Sequence, residues 1–185
     1  MNPASVIEQR FTSDPLLAAL RVFLFVGIAV LCFAGIVLAV GAPLVLIMPN
    51  RVLAELAMEG AASLAGVPPL LALLLAGFAG ICALVAHFFH LLLKITDTVR
   101  AGDPFTPSNA TRLSRMAWTA TLAYLLTLVL AVPATWVDEQ LGEQSSLSIA
   151  AQFDIGSILL ILVLFILARV FRQGAAMRAD LDGIV

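Results

Sequence analysis

Of 185 residues, 62% are hydrophobic and 12% are charged. A soluble domain is about half apolar and about a quarter charged, so composition excludes that class. The formal charge of −2 conceals a segregation along the chain described below, and direct contact with nucleic acid is not expected.

Residues 22–40, 69–93, 116–137 and 155–168 contain no Lys, Arg, Asp or Glu. A membrane-spanning helix needs about 20 apolar residues to cross a hydrocarbon core of about 30 Å. The first three stretches, at 19, 25 and 22 residues, meet that length. Runs such as Leu70-Leu71-Ala72-Leu73-Leu74-Leu75 do not alternate, so the spans are helices and not strands of a barrel. The expected fold is all-α, an integral membrane four-helix bundle in one domain over residues 1–185. Its spans fall at about 18–41, 69–93, 114–137 and 153–172.

The arm before the first span is mixed in charge (Glu8, Arg10, Asp14, Arg21). It lacks the pattern of a cleaved leader, so the first helix is expected to remain in the protein. Asp14 is placed as a cap with Pro15 at the first helical position. The breaker cluster Gly41-Ala42-Pro43 should end that helix. Asn50 then caps a short outer amphipathic segment, residues 51–65, in which Arg51, Glu55 and Glu59 recur every fourth residue. Lying on the membrane surface and packing onto the end of the bundle are both open to it. Gly66 and Pro68-Pro69 launch the second span, where Ala72, Ala76 and Gly80, with Ala79, Ala83 and Ala86 beside them, form a small-residue packing face.

His87 and His90, the two histidines of the chain, stand three apart on one face of the second span. Neutral imidazole can ligate haem or metal. Haem ligation across a bundle needs a histidine on a facing helix, and no other span has one. They are read as interfacial histidines bonded to a neighbouring helix or to headgroups, with proton sensing and metal or haem binding as the alternatives; no cofactor is expected. Cys32 and Cys82 are read as small buried hydrophobes. Ser114, Thr127 and Ser157 have no acid–base partner, and no phosphate loop, zinc-protease helix or nucleophile elbow occurs. The chain is not expected to be an enzyme.

Between the second and third spans runs Arg100-Ala101-Gly102-Asp103-Pro104-Phe105-Thr106-Pro107-Ser108-Asn109. Gly102 can take the left-handed conformation that ends a helix. Thr106 with Pro107 restarts one, and Phe105 should tuck against the bundle. In the fourth span Asp154 is preferred as an outer cap over a carboxylate inside the membrane, which is costly. That span should run on until Gly174 loosens it, leaving Arg178, Asp180 and Asp182 in water.

Nine of the ten basic residues lie in the arm, the middle loop and the tail. By the positive-inside rule these three segments, and hence both termini, are cytoplasmic. Asp138, Glu139, Glu143 and Asp154 gather on the outer side with no base among them.

Two motifs on the cytoplasmic side are the least generic. One is Gly102-Asp103-Pro104-Phe105-Thr106 followed by Asn109 and Arg112. The other is Val170-Phe171-Arg172-Gln173-Gly174-Ala175 with Asp180 and Asp182 before a terminal Ile184-Val185. Together they resemble a family of small four-helix bacterial inner-membrane proteins, domain of unknown function 2975, over most of the chain. Members tend to carry an acidic residue where Arg169 stands and a Thr where Ile184 stands. The family implies no activity, catalytic residue or cofactor. Its genes accompany small helix-turn-helix regulators, which implies a regulatory partner.

The reading that results is a non-enzymatic inner-membrane sensor or scaffold. Its partners are the lipid bilayer, a cytoplasmic regulator protein and a second copy of the chain. Gly102, Pro104, Phe105, Thr106, Asn109, Phe171, Gly174, Asp180 and Asp182 are the candidate contact residues. A small dimeric transporter or channel and a haem-carrying electron-transfer subunit are the alternatives.

Overall fold

The computed structural model describes residues 15–58, 66–141 and 154–182. Five helices account for nearly all of them: α1 (Pro15–Ile47), α2 (Pro49–Met58), α3 (Val67–Arg100), α4 (Pro107–Leu141) and α5 (Ile155–Asp182). No strand occurs among the described residues. α1, α3, α4 and α5 are each long and apolar enough to cross a membrane. The protein is an all-α integral membrane four-helix bundle. The Asp14 cap and the Glu59 and Glu143 positions lie outside the described residues, as do Ile184 and Val185.

The helices are longer than the apolar stretches. α3 and α4 have 34 and 35 residues, about 50 Å at 1.5 Å per residue against a hydrocarbon core of about 30 Å. The surplus is where the charges are, Lys94 to Arg100 on α3 and Arg112 with Arg115 on α4.

Three expected boundaries move. α1 does not stop at Gly41-Ala42-Pro43 but continues to Ile47 with Pro43 inside it, and Met48 N still donates to Leu44 O at 3.0 Å. In lipid an open backbone group is costlier than a kink, so proline is tolerated where water would let the helix end. α2 starts at Pro49, one residue before Asn50, with Arg51 N donating to Met48 O at 3.2 Å. Proline suits that first position because its missing N–H would have no intrahelical partner anyway. α5 runs unbroken past Gly174 to Asp182, so this glycine does not loosen it. Asp154 is exposed and immediately precedes α5, at the capping position expected for it.

The described residues form two compact units. One takes the chain up to Val30, Val85–Thr121 and the chain from Ile155 on; the other takes Leu31–Leu84 and Leu122–Asp154.

The first unit is cored by Leu91, Ile95, Leu113, Met116, Ala117, Leu164 and Ala168 from α3, α4 and α5. On α1, Leu24 is buried, and a side chain at Gly27 would meet the Phe89 ring at 2.8 Å. Trp118 meets Phe165 edge-on with ring centres 5.6 Å apart. Arg21 of α1 faces Asp97 of α3 at 3.6 Å.

The second unit is cored by Val67, Leu74, Leu130, Ala134 and Val137 of α3 and α4. A Cβ at Gly77 would lie 2.5 Å from both terminal carbons of Leu130, so the two helices touch through a bare backbone there. On α1, a Cβ at Gly35 would lie 3.3 Å from Cys82 Cβ and 3.7 Å from the Ala79 carbonyl. Lipid tails are as apolar as leucine, so this close fit is what holds helices together in a membrane. Of the expected ridge, Ala72 and Ala86 are buried and Gly80 faces Leu126, whereas Ala76 and Ala83 are exposed; Gly77, beside that ridge, makes the closest approach. An open groove of about 550 Å³ lies between α3 and α4, lined by apolar residues that include Gly80, Ala83, Leu122 and Leu126.

Candidate functional site

The connection between α3 and α4 is built from backbone outward, and all of it belongs to the first unit. Gly102 has φ +78°, the left-handed conformation that costs glycine nothing and other residues about 1–2 kcal/mol. Its N–H reaches the Val99 carbonyl at 3.0 Å, and Asp103 N–H reaches the Thr98 carbonyl at 3.2 Å. These two bonds are the Schellman closure, which satisfies carbonyls at the helix end. Pro104 then keeps the chain extended. Thr106 caps α4, its Oγ1 accepting from Asn109 N–H at 3.3 Å, with Pro107 at the first helical position as expected.

Asn109 is the hub of this turn. It is 0% exposed, and its Nδ2 donates to Thr98 Oγ1 at 2.7 Å and to the Pro104 carbonyl at 2.9 Å. Its Oδ1 accepts from Arg112 Nη1 at 2.9 Å. Thr98 Oγ1 passes its own proton to the Ile95 carbonyl at 2.7 Å. The second Nη1 hydrogen of Arg112 goes to the Lys94 carbonyl at 3.2 Å, six residues before the end of α3. One buried amide therefore ties together the last turns of α3, the loop and the first turn of α4.

The loop is fastened to α5 as well. The Phe105 ring lies 5.2 Å from that of Phe171, and a Cβ at Gly174 would sit 3.0 Å from its Cδ1. Gly174 is thus a seat for an aromatic ring, not a point of fraying. Phe105 remains 44% exposed, so truncating it costs less than the ~3–5 kcal/mol of a fully buried phenylalanine. One turn beyond Gly174, Arg178 pairs with Asp103 across 75 positions of sequence. Both partners are about half exposed, and such a pair contributes at most about 1 kcal/mol. It orients more than it stabilises.

Most of the residues singled out in the sequence are thereby brought together: Gly102, Pro104, Phe105, Thr106, Asn109, Phe171 and Gly174. Asp180 is exposed on the last described turns of α5 and has no hydrogen bond or ion pair with the loop among the described residues; the Asp182 side chain lies outside the described residues. His87 and His90 are both exposed on α3, and neither has a hydrogen bond to a neighbouring helix among the described residues. Among the described residues no group of three or more His, Cys, Asp and Glu is placed to hold a metal.

Sequence reasoning did not find Thr98, the Arg178–Asp103 pair or the burial of Asn109. For Asn109 a signal existed. It precedes Leu113 by four and Met116 by seven, the spacing of one helix face, and that face is the core. A polar side chain on such a face must be hydrogen-bonded. The Arg178 pair had no local signal.

No curated protein and no solved structure matches the chain. Over residues 8–185 it matches the family described as protein of unknown function (DUF2975), and the chain belongs to that family.

Proposed function

We propose that this protein is a non-enzymatic sensor or scaffold of the bacterial inner membrane, with both termini in the cytoplasm. It engages a cytoplasmic partner, a small helix-turn-helix regulator, through a face made jointly by residues 102–109 and the end of α5. The observation that supports this reading is the fastening of loop to helix. Phe105 sits on Gly174 beside Phe171, and Asp103 pairs with Arg178. The two least generic segments of the chain thus form one surface, and a helix movement in the bundle would be felt by both. The orientation rests on the positive-inside rule, with nine of ten basic residues in the arm, the middle loop and the tail. The gene association of the family supports the class of partner.

Pull-downs from the native host with the full chain, with a chain lacking residues 179–185 and with Phe105→Ala test the reading. Each variant is first checked for an unchanged helical spectrum. The expected result is one cytoplasmic partner recovered with the full chain and reduced several-fold with either variant. Equal recovery by all three removes this face as the contact. A periplasm-only reporter should be active after Glu143 and silent after Asp103; the reverse would place the face on the wrong side of the membrane.

A further inference from the structure

We propose that Lys94, Arg112 and Arg115 form a site for the phosphate of an anionic membrane phospholipid, independent of the partner-binding face. Arg112 sets its geometry. Both Nη1 hydrogens are spent on Asn109 Oδ1 and the Lys94 carbonyl, so the guanidinium is held against the last turns of α3. Its Nε and Nη2 N–H groups have no acceptor among the described residues, and they form the fork that matches a phosphate. Lys94 is exposed at the same contact, and Arg115 is exposed one turn further along α4. His90, one turn from Lys94 on α3, is also exposed.

Among the described residues no ion pair involves Lys94, Arg112 or Arg115, whereas Asp97 faces Arg21 and Asp103 pairs with Arg178. The acid nearest in sequence to Lys94, Asp97, therefore already faces another cation. The level in the membrane is marked independently by Trp118, three residues beyond Arg115 and 65% exposed. Tryptophan concentrates where headgroups meet acyl chains. From there to Val137 α4 carries no formal charge, and apart from Tyr124 its side chains are apolar or are threonines whose hydroxyls bond the preceding turn, such as Thr121 and Thr127. A ligand meeting three cations at that depth carries its charge at the interface and its bulk in hydrocarbon, which describes a phospholipid and not a free anion.

Native mass spectrometry of the detergent-purified full chain, titrated with phosphatidylglycerol or phosphatidylcholine of the same acyl length, tests the site. Phosphatidylglycerol should be retained in preference. Basic residues near an anionic surface each contribute about a fivefold gain in affinity, so Lys94→Gln with Arg115→Gln should weaken retention by roughly twenty-fivefold if the two effects add. Both side chains are exposed and make no hydrogen bond or ion pair among the described residues, so the fold should be untouched; an unchanged melting temperature checks this. Arg169→Gln with Arg172→Gln removes the same charge from α5 and should leave retention within about twofold, since it does not touch the site. An equal loss in both pairs would make the attraction a general surface field and overturn the site. So would equal retention of the two lipids. Displacement by millimolar inorganic phosphate would overturn the lipid as the occupant.

Discussion

The two compact units of this protein are held by different chemistry. In the first, a buried amide with three side-chain hydrogen bonds joins two helix ends and a loop, and an aromatic ring on a glycine adds α5. In the second, Gly77 lets Leu130 in to a distance that any side chain would forbid, and a Cβ at Gly35 would press on Cys82 at 3.3 Å. The helix ends of the first unit leave the hydrocarbon, where loop carbonyls and charged side chains must find partners, so polar groups can do the joining. Helices inside lipid have no hydrophobic drive toward one another and rely on fit. The difference teaches that a polar substitution and a volume substitution should have opposite sensitivities in the two units.

The largest effect should come from Asn109→Ala, which strands the Pro104 carbonyl and the Arg112 guanidinium and opens a small void. Two neutral hydrogen bonds and one to a charged group suggest a loss of about 3 kcal/mol, read as a lower unfolding midpoint in detergent or bicelles. Thr98→Val in the same background should add less than it costs alone, because the two share a bond. Additive losses would mean that Asn109 does not act through Thr98, and the hub would reduce to separate contacts.

Next is Gly77→Ala in the second unit. Alanine gains about 1 kcal/mol of helix propensity, but overpacking against buried Leu130 costs about 1–3 kcal/mol. A net loss of about 1 kcal/mol is expected. Pairing it with Leu130→Ala should give a double variant more stable than the two single losses predict. A neutral Gly77→Ala with no such coupling would deny the close approach.

The smallest effect is a gain. The Tyr124 hydroxyl, in the second unit, is buried without a hydrogen-bond partner among the described residues. Tyr124→Phe removes a polar group that has lost its water, so it should be neutral or stabilise by up to about 1 kcal/mol. A clear destabilisation would reveal that this hydroxyl has an acceptor, and the contrast between a polar first unit and an apolar second one would need redrawing.

Much of the turn at residues 100–109 was legible because it is local. Glycine at a left-handed position and threonine before proline act within four residues, and both behave as their chemistry dictates. Pro43 misled for a related reason: as a helix breaker it is calibrated to water, and in lipid the helix continues through it. Gly174 misled because its role lies with Phe105, 69 positions earlier in the chain.

From composition and charge alone follow the four apolar helices and the exclusion of a soluble or barrel fold, since these depend on how each segment partitions between water and lipid; the family was legible in two short motifs. Tertiary structure decided which small residues touch, why Asn109 is buried, and that the loop rests on α5. Those are facts of neighbours distant in sequence. A helix wheel can say that a face is apolar or small, but all faces of these helices are nearly so. Only the packed chain picks Gly77 over Ala76, and only the folded turn brings Arg178 to Asp103.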